Sequence, residues 1–176
     1  SKLAQVVGPR FFRGSGGLTG ATGPSVLELG CGAAPLPGMV SALLGARYVR
    51  CTDFLPGLVE LADENIMRSA DLFEETNVAK NVDVDIAACS LPWGDMDAIQ
   101  NVLPKDQAYF DVVLGADIVA GEHDGVEEHK KVLNLLADTI NAVTRKGSLL
   151  ILSHTVRQPG VERWLVEEVL VAGSWG

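Results

Sequence analysis

The chain has 176 residues, of which 47% are hydrophobic, and carries 14 Lys and Arg against 23 Asp and Glu, a net charge of −9; mean hydropathy is +0.21 and the pI is near 4.7. A chain of this length builds one core, so a single domain over residues 1–176 is expected. The acidic balance argues against nucleic acid as a partner, because a phosphate backbone calls for a basic surface, and leaves room for a basic protein partner.

Cys31, Cys51 and Cys89 are an odd set without C-x-x-C spacing, which argues against a disulfide framework or a zinc site and for a reducing compartment. No apolar run in the last third exceeds Leu149 to Leu152, far short of the ~20 residues that span a bilayer. Ser1-Lys2 does not begin a signal peptide. A monomer in the cytosol or nucleus, with no membrane contact, is the expectation. The chain opens on Ser1 rather than Met, so its start need not be that of the natural protein.

Residues 1–24 are read as a short apolar flap, Leu3 to Phe12, and a glycine-rich loop. From residue 25 to 176, strand and helix patterns alternate. Strand Ser25–Leu29 precedes a helix near Pro37–Leu44. Strand Arg47–Thr52 precedes a helix near Leu58–Asp71, with Leu58, Leu61, Ala62 and Ile66 at helical spacing. Strand Val82–Ala88 leads to a short helix, Asp95–Val102. Strand Tyr109–Gly115 leads to a long helix, Val126–Thr144, whose buried stripe is Leu133, Leu136, Ala137, Ile140 and Val143, with Arg145, Lys146 and Gly147 as its C-terminal stop. Strand Ser148–Ser153 is followed by a last helix, Val161–Val171, opened by Pro159-Gly160. This alternation implies a doubly wound, Rossmann-like α/β fold with a mostly parallel sheet and right-handed crossovers.

Ligands of such sheets bind outside the carboxyl ends of the strands. Four ends here carry candidate groups: Glu28 to Gly32, Asp53-Phe54, Ser90 to Gly94, and Ala116-Asp117. Gly30 and Gly32 allow a tight turn and a close approach to a ligand. Cys31 between them reads as a small turn residue, since no base is placed beside it. Asp53, 21 residues after Gly32, sits where a nucleotide-binding fold places the carboxylate that holds a ribose; the alternative is a helix cap. Phe54 and Trp93 offer faces to a base. A carboxylate from Glu28 at the mouth of the glycine turn would repel a pyrophosphate and favour a ligand that is positive there. S-adenosylmethionine, with an adenosine, a sulfonium and an ammonium but no phosphate, fits that description.

Glu28-Leu29-Gly30-Cys31-Gly32, Cys51-Thr52-Asp53-Phe54, Asn65-Ile66, Leu91-Pro92-Trp93-Gly94 and Asp111 to Val119, in this order, resemble the class I (seven-β-strand) S-adenosylmethionine-dependent methyltransferases, in particular the methyltransferase-like protein-lysine methyltransferases. The similarity covers roughly Val26 to Val171. It implies that Glu28, Gly30 and Gly32 line the methionine part of the cofactor, that Asp53 holds the ribose, that Trp93 with Ser90 and Leu91 borders adenine, and that Asp117 faces the incoming amine of a protein substrate, a non-histone one. S-adenosylhomocysteine is then the product. Ala120 stands where the group has Tyr, and Leu36-Pro37-Gly38 is similar to members that methylate histidine. A histidine or small-molecule acceptor, or a cofactor-binding protein without activity, are the alternatives. The closing hairpin of a seven-stranded sheet is absent or belongs to sequence beyond Gly176. Glu122, His123, Asp124, Glu127, Glu128 and His129 have no metal-motif spacing and suit a helix N-terminus, so no metal is expected. His154 reads as a hydrogen-bonded structural residue.

Overall fold

The computed structural model describes residues 23–69, 84–119, 126–155, 159–165 and residue 167. Among these residues five parallel strands form one sheet in the order β3-β2-β1-β4-β5. They are β1 (Ser25–Leu29), β2 (Tyr48–Asp53), β3 (Asp85–Ser90), β4 (Val112–Ala116) and β5 (Leu149–Ser153). The helices among the described residues are α1 (Leu36–Leu43), α2 (Pro56–Arg68), α3 (Met96–Val102), α4 (Val126–Val143) and α5 (Pro159–Trp164). The flap and glycine-rich loop before Gly23, Ala120, and residues 168–171 of the expected last helix lie outside the described residues.

Alternation along β1 sorts its side chains between two layers. Leu27 and Leu29 enter a core with Ile99 of α3, Leu133, Leu136 and Ile140 of α4, and Leu165 just after α5, with Trp164 of α5 packed against it. Val26 enters the other core, with Ala42 of α1 and Ala62 and Ile66 of α2. All five residues of β1 are buried, as a central strand covered on both faces must be.

The boundaries show what local pattern misses. Pro at the first turn starts α1 and α2 one or two residues earlier than expected, since a fixed φ suits that position. Leu61, read as part of the α2 stripe, is 47% exposed, while Ala62 and Ile66 are buried. The expected stripe of α4 is buried in full, joined by His129 and Thr139. Gly147 is not the cap of α4, which ends at Val143. It has φ 96° in a turn closed by Ser148 N–H donating to the Arg145 carbonyl (2.9 Å), leading into β5. Among the described residues no helix is long and apolar enough to cross a membrane.

One glycine records how closely α1 packs on the sheet. A Cβ on Gly38 would collide with Cys51 Sγ and lie 2.8 Å from Glu28 Oε2. Gly38→Ala is therefore expected to destabilise the protein by about 1–3 kcal/mol through overpacking, read as a lowered midpoint in urea denaturation with an unchanged slope.

Candidate active site at the carboxyl edge of the sheet

The chain leaves β1 toward the α1–α2 layer and leaves β4 toward the other layer. A crevice therefore opens between these neighbouring strands at their carboxyl ends, the topological switch point of the sheet. It holds a cavity of about 520 Å³. Gly30 follows β1, Asp53 and Phe54 end and follow β2, and Leu91, Pro92 and Trp93 follow β3. Ala116, Asp117 and Ile118 come from the end of β4, and His129, Val132, Leu133 and Leu135 from α4. Four separate strand ends thus supply one cavity.

Asp53 is the joint between two of them. One carboxylate oxygen accepts the Gly32 N–H (3.1 Å) and the other the Leu55 N–H (3.1 Å). The first bond ties the glycine turn to the end of β2, and a backbone bond from Cys31 N–H to the Thr52 carbonyl (2.9 Å) repeats the tie. Asp53 is not the N-cap of α2, a position held by Leu55 without a side-chain bond. Each carboxylate oxygen can accept again, so hydroxyls in the cavity can still be received. Gly30 (φ 62°) and Gly32 (φ 59°) both adopt the left-handed conformation, which glycine adopts without a Cβ penalty. Asn65, named from the sequence only as a motif residue, braces this turn. Its side-chain amide donates to the Ala33 carbonyl (2.8 Å) and pins the far side of the turn to α2.

Glu28 departs from expectation. Its carboxylate is not at the mouth of the turn and does not line the cavity. It is 2% exposed and accepts the Gly38 N–H of α1 (2.8 Å). Strand alternation explains this, because Glu28 shares the α1-facing side of β1 with Val26. Burial pushes its carboxyl up to about 7, against the lowering effect of the bonds to Gly38 and Cys51. Cys31 and Ser90 also stand outside the lining. Burial, with the nearby Glu28 and Asp53 carboxylates, pushes the Cys31 thiol up to about 12, so it stays protonated and is a turn residue as read. Gly32 acts through its N–H on Asp53.

The discrimination assigned to Glu28 passes to the lining itself. Two carboxylates, Asp53 and Asp117, face the cavity, and no Lys or Arg is among its described lining residues. These acceptors suit a hydroxyl-bearing, cationic ligand and oppose a pyrophosphate. S-adenosylmethionine has that chemistry, and Trp93 and Phe54, the latter 64% exposed, add aromatic faces to the lining.

Asp117 is the most constrained residue of the site. It has φ 58°, a conformation that costs a non-glycine residue on the order of 1 kcal/mol or more and persists only when its surroundings impose it. Asp117 N–H donates to the Ser153 carbonyl of β5 (2.7 Å). Ile118 lies so near Gly30 that a Cβ there would come within 2.7 Å of its methyl. Val119 presents its carbonyl to His129 Nε2 (2.8 Å). His154 Nδ1 stands 3.5 Å from the Asp117 carboxylate, behind it and outside the lining of the cavity.

His129 is a site residue that sequence reasoning placed only in an acidic cluster. Of that cluster, Glu127 and Glu128 pair with Lys130 and Lys131 (3.1 and 2.9 Å), and Glu122, His123 and Asp124 lie outside the described residues. Val132, Leu133 and Leu135 were also missed; helical spacing marks a buried stripe without saying which part of it overhangs a cavity.

No protein-family model matches the chain. Among curated proteins it is similar to the protein N-terminal and lysine N-methyltransferase EFM7 of Kluyveromyces lactis, 31% identical over 153 residues, 82% of this chain and 52% of that protein. The same-named protein of Aspergillus fumigatus is 30% identical over 146 residues, 82% of this chain and 49% of that one. The chain spans about half the length of these curated relatives. Among solved structures, the rRNA methyltransferase aviRa from Streptomyces viridochromogenes superposes with a TM-score of 0.55 at 18% identity, covering 80% of this chain and 69% of that one. A methyltransferase from Pyrococcus furiosus gives 0.54 at 16% identity, covering 86% and 65%. This chain has the class I methyltransferase fold. Its sequence is related to these protein N-terminal and lysine methyltransferases, in keeping with the resemblance of its motifs to protein-lysine methyltransferases.

In this methyltransferase fold the buried Glu28 generates a pH signature. Its folded-state pKa of about 7 lies above the ordinary 4.5, so between these values the folded protein binds the extra proton. Its contribution to stability is whole below pH 4.5 and is lost as pH rises through 7. Glu28→Gln should therefore gain stability relative to the parent between pH 4.5 and pH 8, by up to about 3 kcal/mol. Urea denaturation of both proteins at the two pH values measures it; a constant difference would show that Glu28 is ionised throughout.

Proposed function

We propose that this protein transfers a methyl group from S-adenosylmethionine to an amine of a protein substrate, and that the amine is a lysine side chain. The observation that carries the reading is the convergence of Asp53, Trp93 and Asp117 on one cavity at the switch point. The relatives named as protein N-terminal and lysine methyltransferases support it. That name also favours a second acceptor, a protein's α-amine, which would meet Asp117 in the same way. The substrate is a non-histone protein, the enzyme a monomer, and its place the cytosol or nucleus.

S-adenosylmethionine, when bound, supplies an electrophilic methyl on a sulfonium. The chain's own residues do the rest. Asp53 receives the ribose hydroxyls, and Phe54 and Trp93 border the base. Asp117, 47% exposed at its side chain, faces outward from the end of β4 and attracts a cationic amine. A lysine has a pKa of about 10.4 and an α-amine one of about 7.7–8.0, so either must shed a proton before its lone pair attacks; the lysine has further to go. The carboxylate of Asp117 aims the ammonium and offers a place for that proton. In-line transfer requires the nitrogen about 3–3.5 Å from the methyl.

Calorimetry is expected to show S-adenosylmethionine and S-adenosylhomocysteine binding in the micromolar range, about −8 kcal/mol, with NAD silent. Asp53→Ala should weaken both adenosyl ligands about tenfold or more, since charge-assisted bonds to the hydroxyls are lost. Asp117→Asn should keep donor affinity within about twofold while turnover falls about 100-fold or more. Radiolabelled donor incubated with the protein and a lysate from its own source reads the acceptor. Label mapping to lysine supports the first reading and label on an N-terminal amine the second; label on histidine, or none with donor binding intact, sinks both.

A further inference from the structure

Thr139 is a polar residue inside an apolar stripe. It is fully buried on α4 between Leu136 and Ile140, where an aliphatic residue is the default and a buried hydroxyl without partners is costly. Its hydroxyl donates to the Leu135 carbonyl one turn back (2.8 Å). That commits its single hydrogen, so toward anything else the oxygen is an acceptor. The group it accepts from is the N–H of Gly94, at 2.8 Å.

Gly94 closes the Pro92-Trp93-Gly94 turn. It has φ 82°, and a Cβ there would lie 2.7 Å from Leu135 Cδ2. Leu135 and Thr139 are four residues apart and share one side of α4, and the turn is seated on both. Its other end is tied to β2, where Leu91 N–H donates to the Asp53 carbonyl (2.9 Å). Trp93 itself packs on the α3–α4–α5 core and lines the cavity. Capping of α3 does not account for the Thr139 bond, because Asp95 performs that through Asp97 and Ala98 N–H (3.0 and 2.9 Å).

We propose that Thr139 is a positioning residue of the donor cavity: its buried hydroxyl holds the Trp93 turn against α4, so that the indole stands as the wall on which the purine of the donor lies, opposite the ribose carboxylate of Asp53. The inference rests on the functional reading above, since the purine belongs to the proposed donor. The turn is held at both ends, by Asp53 and by Thr139, which fixes the span between the two groups that the adenosine must bridge.

The test uses the full chain with Trp164→Phe and Trp175→Phe, which leaves Trp93 as the single tryptophan of three. Thr139→Val removes the hydroxyl and keeps the shape; Thr139→Ser keeps the hydroxyl. Acrylamide quenching of Trp93 without ligand reads the turn, and calorimetry with S-adenosylhomocysteine reads the cavity. Thr139→Val should raise the quenching constant about twofold and weaken the ligand about tenfold, as loss of a buried acceptor implies, and Thr139→Ser should match the parent in both. Gly94→Ala attacks the same seat from the turn side and should reproduce the valine variant, which keeps the proposal testable if Thr139→Val does not fold.

Unchanged quenching and affinity in Thr139→Val, a serine variant as impaired as the valine one, or a loosened Trp93 with unchanged affinity would each overturn it. A parent that binds no S-adenosylhomocysteine sinks the functional reading and the purine assignment with it. Quenching raised by valine and restored by serine would then leave Thr139 as an anchor of the turn alone.

Discussion

Everything about the site depends on the divergence of the chain at β1 and β4. These two strands are hydrogen-bonded neighbours in register, Leu29 opposite Gly115, but the chain leaves them toward opposite layers. A right-handed crossover can cover only one face of a sheet, so two loops that begin side by side are drawn apart and a crevice is left between them. No side chain creates that space. The side chains make it specific: the glycine turn sets its floor, Asp53 its β2 side, and the strained Asp117 its outer end.

The loops that border the crevice are held by polar bonds to their neighbours. Asp53 bonds the glycine turn, Asn65 bonds the residue after it, His129 bonds Val119, and Thr139 bonds Gly94. His129 and Thr139 stand on the same helix ten residues apart, about 15 Å along its axis. Each is buried among apolar neighbours, where a hydrogen bond has no competing water and an unmade one is costly. The walls of the site are thus held by hydrogen bonds, while Asp117 and Phe54 are exposed.

Charge is arranged accordingly. At the amino-terminal edge of the sheet, opposite the cavity, Arg50 pairs with Asp85 through two bonds of 2.8 and 3.0 Å and lies over the Tyr48 ring, and Arg47 pairs with Asp106. At the cavity the described lining carries carboxylates without a cation. The two lining carboxylates, Asp53 and Asp117, favour positive charge at this edge of the sheet.

Much of this was legible from residues alone. Apolar runs ended by Gly, Asp or Pro-Trp-Gly marked five strands, and alternation with helical stripes implied the parallel doubly wound sheet, because periodicity reports which faces are buried. The glycine turn, Asp53, Trp93 and Asp117 could be named in advance, since the fold brings strand ends to one edge whatever the loops do. Glu28 could not be placed, because a strand buried on both faces looks the same from either side; only packing of α1 shows that the carboxylate points into the layer below the turn. His129, Leu135 and Thr139 were legible as helix but not as site. Which part of a buried stripe overhangs a cavity, and which hydroxyl meets a turn 45 residues away, is decided by how α4 lies across the sheet, a distance in space that no local pattern encodes.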